Sequence, residues 1–174
     1  MKTLIVSDPS VPTLRQVPDS ALLTGGRPLF LQEGCTGARL VVMPAVRICR
    51  LGLSIGRRFA RRYYDAATLV ALNAPSDSLC DADLVADNAL ITGTWLPLPD
   101  TSGPWKITAP DGSEHTFDIA GAFDTAIESI SRRTTFKTGD IVALRCFSCV
   151  FDAMQESRPQ WSLNGTDVLS FKIK

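Results

Sequence analysis

The stretch Ala45–Asp65, AVRICRLGLSIGRRFARRYYD, decides how the rest of the chain is read. It joins the end of an apolar, valine-rich run, Leu40–Ile48, to a turn at Ser54-Ile55-Gly56 and a short helix expected from Arg57 to about Asp65. The run has strand character, and Pro44 inside it predicts an edge position or a bulge, because proline cannot donate to a ladder. Arg47, Arg50, Arg57, Arg58, Arg61 and Arg62 fall within sixteen residues. The last four recur at i, i+1, i+4 and i+5, which gathers them on one helix face. Such a face suits a polyanion or phosphate. It suits a solvated helix surface or a set of intersubunit salt bridges better, and that plainer reading is preferred.

Working outward, strands predominate. Thr68–Leu72, Asn88–Trp95 and Trp105–Thr108 read as strands, and Pro110-Asp111-Gly112 is a turn joining the last of these to a strand at Glu114–Phe117. Asp118 is placed to cap a second helix, Ile119 to about Arg132, with Phe123, Ile127 and Ile130 on one face. Lys137-Thr138-Gly139-Asp140 turns into a strand at Ile141–Leu144, and the chain closes with Trp161–Leu163, an Asn164-Gly165 hairpin turn and Val168–Ile173. Many strands with two short helices give a β-rich α+β fold.

Composition sets outer bounds. A chain of 174 residues with 45% hydrophobic content is expected to form one domain over residues 1–174 with a sizeable core. No apolar run approaches a membrane span, and MKTLIV is too short for a secretory signal, so the expectation is a cytoplasmic protein away from membranes. Eighteen basic and eighteen acidic residues cancel, which gives no long-range attraction to nucleic acid. The five cysteines, Cys35, Cys49, Cys80, Cys146 and Cys149, are an odd number and argue against a disulfide framework. Cys146-Phe147-Ser148-Cys149 has redox or half-zinc spacing but lacks a second pair, so buried, inert thiols are expected. His115, the one histidine, is expected at an exposed turn with no nucleophile beside it.

The central stretch also carries a resemblance. Val46-Arg47-Ile48-Cys49-Arg50 and Arg58-Phe59-Ala60-Arg61-Arg62-Tyr63-Tyr64-Asp65-Ala66 resemble the strand H-Y-E-x-E-I-V-V-R-I-C-R and helix R-F-A-H-R-Y-Y-D-A of the fumarylacetoacetate hydrolase family, specifically its 2-hydroxyhepta-2,4-diene-1,7-dioate isomerase-like members. Pro18-Asp19-Ser20-Ala21-Leu22-Leu23 with Gly26-Arg27-Pro28-Leu29-Phe30-Leu31 is similar to the family's P-x-S-A segment and the glycine-proline stretch after it. The likeness covers most of the chain, more weakly at the start and between Ser78 and Leu84. It implies the family's rolled, mixed β-sandwich.

Anchored this way, the family's two metal-binding glutamates fall at Val41 and Met43 and its third carboxylate at Asn73. Its catalytic lysine falls near Leu84, with Asp87 following, and its G-T-P loop at Arg145-Cys146-Phe147. Its His/Glu base pair falls at Val6–Pro12, where neither residue type occurs. Magnesium, manganese and calcium need oxygen ligands, which an isopropyl group and a thioether cannot supply, so no cofactor is expected. Strand alternation puts Arg39, Val41, Met43, Ala45 and Arg47 on the face that the family turns to its metal. Arg39, Arg47, Leu84, Asp87 and Arg145 are therefore the candidates for a residual pocket, either open to a small anion or filled by its own side chains, with filling preferred.

The resemblance thus implies a degenerate, catalytically inactive member acting as a binding or interaction protein. The alternative is a divergent enzyme that retains C–C bond hydrolysis or keto–enol isomerisation through Asn73, Asp87 or Arg47. A homodimer is expected by family likeness, with the Arg57–Arg62 face and Trp95-Leu96-Pro97-Leu98-Pro99 as candidate contact surfaces.

Overall fold

The structure is a computed structural model that describes residues 1–10, 13–24, 26–31, 33–74, 81–98 and 103–174. The valine-rich run becomes β4 (Gly37–Ile48), the axis of a nine-stranded mixed sheet. That sheet also holds β1 (Lys2–Val6), β2 (Leu14–Pro18), β3 (Leu22–Leu23), β5 (Tyr64–Asn73), β6 (Leu90–Thr92), β7 (Leu96–Pro97), β10 (Ile141–Leu144) and β11 (Cys149–Met154). Its order is β2-β1-β10-β4-β5-β6-β3, with β11 also on β4 and β7 also on β5. β1/β10 and β3/β6 are the parallel pairs. A second, antiparallel sheet runs β13 (Thr166–Ser170), β12 (Gln160–Leu163), β8 (Pro104–Thr108), β9 (Glu114–Asp118). Three short helices are described, α1 (Arg57–Ala60), α2 (Asp81–Val85) and α3 (Ala122–Ser131), one more than the sequence suggested.

Pro44 does not mark an edge or a bulge. It lies in the central strand opposite Leu69 of β5, where the neighbour on the other flank changes from β10, which ends opposite Ala45, to β11, which starts opposite Val42. The ladder is already interrupted on that flank, so a residue without an N–H is tolerated. The first helix is shorter than expected because Tyr64 and Asp65 already belong to β5, opposite the end of β4. The second starts at Ala122, after Gly121 in the left-handed region; Asp118 instead accepts the Ala120 N–H at 3.1 Å in a local turn.

The alternation of β4 divides the interior. Leu40, Val42, Val46 and Ile48 face a large core that includes Trp105, Phe123, Phe136, Trp161 and Phe171 and is shared by both sheets. Val41, Met43 and Ala45 face a smaller core with Ile5, Val70, Leu72, Leu84 and Leu90. The sheets meet where β6 ends. There the Thr94 N–H donates to the Val168 carbonyl at 2.6 Å, and a Cβ on Gly93 would lie 2.3 Å from that oxygen, so only glycine fits.

Candidate functional site

β4 positions the residues singled out in the sequence. Val41 pairs across the ladder with Leu72 and Met43 with Val70, and their side chains point into the smaller core, 6% and 0% exposed. Leu84, carried by α2 and also buried, closes the same cluster. Burial of a Val, Leu or Met side chain is worth roughly 1.5–3 kcal/mol, so this trio stabilises the fold where a metal site would have to be held open. Asn73 pairs with Leu40, a large-core residue, and is therefore one step out of phase with Val41 and Met43.

The rest of the set divides between the two ends of β4. Arg39, Asn73 and Asp87 line one cavity of about 470 Å³ at the strand's start, together with Asp83, Asp152, Cys35 and the apolar Phe30, Leu31 and Met154. Arg39 is cross-strand partner to Asp152 of β11. Arg47 lies eight residues further along, roughly 26 Å at the rise of an extended strand. Its guanidinium reaches Asp65 at 3.2 Å, lies 5.6 Å from the centre of the Trp95 ring, and lines neither this cavity nor the smaller core. Arg145 sits in a 3-10 turn, Arg145–Phe147, between β10 and β11, also outside the cavity. One strand face therefore does not make one pocket.

The expected buried thiol holds for Cys149 and not for Cys35 or Cys146. Cys149 is buried, and burial pushes its thiol up to about 11; Cys146 and Cys35 are exposed, although partial desolvation raises Cys146 as well. His115 is in β9, half-buried, with its ring stacked on Phe117 at 6.3 Å, so it is a strand residue. Trp95, Leu96 and Leu98 are half-buried: they pack against the two cores, and β7 is hydrogen-bonded to β5. Asp8 at the place of the family's base pair accepts the Ser10 N–H at 2.8 Å and its hydroxyl at 2.7 Å, an ordinary turn. Val11, Pro12, Pro75 to Ser78, Cys80 and Pro99 lie outside the described residues.

Sequence reasoning missed Asp83 and Asp152, which bring two further carboxylates to the cavity. Asp152 was not readable: Cys149 and Ala153 are buried while Val150, Asp152 and Met154 are exposed in the structure, but the sequence Cys149-Val150-Phe151-Asp152-Ala153-Met154 does not alternate apolar with polar residues. It also missed a wider, open cavity of about 900 Å³ where the sheets approach, lined by Thr92, Thr94, Trp95, Arg158, Gln160 and Asp167 among others.

No protein-family model and no curated protein matches the sequence. Solved structures do match the fold over 99% of the chain. A 5-carboxymethyl-2-hydroxymuconate delta-isomerase from Mycobacterium smegmatis superposes with a TM-score of 0.82 at 14% identity, over 78% of its own length. A protein from Yersinia pestis CO92 assigned to the fumarylacetoacetate hydrolase family gives 0.79 at 14%, over 93%. The chain has the fumarylacetoacetate hydrolase fold. Maleylpyruvate hydrolase from Sphingobium sp. SYK-6, solved with a manganese(II) ion and pyruvate, gives 0.76 at 14%, over 69%. Hydrolases and isomerases thus share this fold with the chain.

A divalent ion does not fit the positions where the sequence resemblance puts the family's metal ligands. Val41 and Met43 offer no oxygen, they face a closed apolar cluster, and Asn73 supplies at most one neutral donor out of phase with them. Among the described residues, no group of three His, Cys, Asp or Glu side chains is placed to share an ion.

Proposed function

We propose that this protein is a catalytically silent relative of the fumarylacetoacetate hydrolase and isomerase enzymes, working as a binding or interaction protein. The observation that carries this reading is the closure of the Val41, Met43 and Leu84 face into core. Metal-dependent members of such a fold owe their chemistry to an ion that polarises an oxygen or acidifies water by many pKa units, and no side chain here reproduces that. The alternative, a divergent enzyme, has one supporting observation: Asn73 and Asp87 do share a cavity with Arg39.

The ligand proposed for that cavity is small and carries a carboxylate or similar anion for Arg39, whose forked donors match it. Three aspartates in the same lining favour a ligand that also bears a cationic group. The protein is further proposed to form a homodimer, which light scattering at micromolar concentration tests: a monomer removes that part. Purified protein should not hydrolyse acylpyruvates with magnesium or manganese present. Metal-dependent turnover at ordinary enzyme rates, abolished by Asp87→Asn, would overturn the silent-relative reading and establish the alternative.

A further inference from the structure

At the end of β4 away from that cavity, the chain between Arg50 and Tyr63 presents a surface on which charge and apolar groups are unusually matched. Leu51, Leu53 and Phe59 are 70%, 58% and 39% exposed. Arg50, Arg57, Arg58, Arg61 and Arg62 surround them, all exposed. Among the described residues, no carboxylate lies within salt-bridge distance of Arg50, Arg57, Arg58 or Arg62. The carboxylates nearby are engaged elsewhere, Asp65 with Arg47 and Asp124 with the Tyr64 hydroxyl at 2.9 Å. Arg61 donates to the Tyr64 carbonyl at 3.2 Å. The Arg58 and Arg62 guanidiniums lie 4.5 and 5.4 Å from the centre of the Phe59 ring, so this ring is within cation–π range of two positive charges. Beside it a groove of about 280 Å³ is lined by Arg50, Leu53, Phe59, Arg62 and Tyr63.

The surface is held in place. Gly52 exchanges two backbone hydrogen bonds with Phe136, and the Ser54 and Ile55 N–H groups donate at 2.8 Å to the Ser131 carbonyl and hydroxyl. A partner would meet loop backbone that is already ordered, so little ordering is left to the binding event. Since the whole chain is formally neutral, the positive excess is local.

We propose that this surface docks an acidic segment of a partner protein, with an apolar side chain of that segment seated in the groove beside Phe59. A second copy meeting this surface with its own copy of the same surface, the two-fold axis passing through the patch, would set arginine against arginine, so an acidic segment of a different chain is the occupant proposed. A bilayer is also a poorer fit, because the groove is concave and its filling requires an inserted side chain. This inference uses different residues from the cavity at Arg39 and stands whether or not the protein has catalytic activity.

Fluorescence anisotropy with a labelled acidic peptide, Asp and Glu flanking a central Leu-Phe pair, tests it. Micromolar binding at about 50 mM salt should weaken at least about tenfold by about 300 mM, as exposed charge pairs are screened. Arg58→Glu with Arg62→Glu should lower affinity at least tenfold, and Phe59→Ala with Leu53→Ser about fivefold, with melting temperatures unchanged at these exposed positions. The proposal is overturned by equal binding to wild type and the charge-reversed variant. Equal affinity for an all-Glu peptide would overturn it as well. So would tighter binding to phosphatidylcholine vesicles carrying phosphatidylserine, or to an oligothymidine.

Discussion

Arg39 and Val41 are two residues apart on the same face of β4, yet one lines an open cavity and the other is sealed in core. The difference comes from the side chains gathered around each residue. Val41 and Met43 share a buried apolar cluster with Leu84 of α2 and Ile5 of β1; around Arg39 the neighbours are Asp152 of β11, Asp87 and the chain near Cys35. A strand fixes which face a side chain takes, and the covering layer decides whether that face is a site.

The largest effect is expected from putting carboxylates on the closed face. Val41→Glu with Met43→Glu places two charges, unpaired and without an ion, in an apolar cluster, at a cost of several kcal/mol, which is comparable to the whole stability of an ordinary domain. The variant should be unfolded by circular dichroism, and added manganese should not rescue it. Manganese-dependent refolding would mean that the site is merely unfilled.

A smaller effect compares the two cores directly. Leu40 and Met43 are both fully buried on opposite faces, so Leu40→Ala and Met43→Ala should each lose about 2–5 kcal/mol in denaturant titrations. A loss below about 1 kcal/mol for Met43→Ala alone would show that its side is loosely packed. At the open end, Arg39→Ala should change stability by no more than about 1 kcal/mol, the range of exposed ion pairs, while abolishing any thermal shift produced by amino acids or dicarboxylates. An undiminished shift would place the ligand elsewhere.

The smallest contrast is chemical. Burial holds the Cys149 thiol near 11, so the thiolate that reacts with alkylating agents is almost absent at neutral pH, whereas Cys35 and Cys146 are exposed. Mass spectrometry after iodoacetamide at pH 8 should find Cys35 and Cys146 modified and Cys149 spared.

The sequence carried much of the frame. Valine-rich β4, the Asn164-Gly165 turn and the β8–β9 hairpin announced themselves through period and turn chemistry, which are local. The alternation of Val41 and Met43 was local too. What could not be read was non-local: that β10 hands over to β11 at Pro44, that Asn73 is out of register with Val41, and that Arg39 and Arg47 face different surroundings. β1 went unread because an apolar run at a chain's start does not distinguish a strand from other apolar segments. The exposure of Leu51 and Leu53 was invisible because apolar residues in a turn look like core until the neighbours are known.

Whether the Val41 and Met43 face, where the resemblance puts the family's metal ligands, is closed core is answered by a manganese titration of the folded protein followed by electron paramagnetic resonance. The expected result is a spectrum of free ion at every ratio, with no sub-millimolar site. One manganese bound per chain with micromolar affinity, retained when Asp83, Asp87 and Asp152 of the separate cavity are replaced by asparagine, would contradict it.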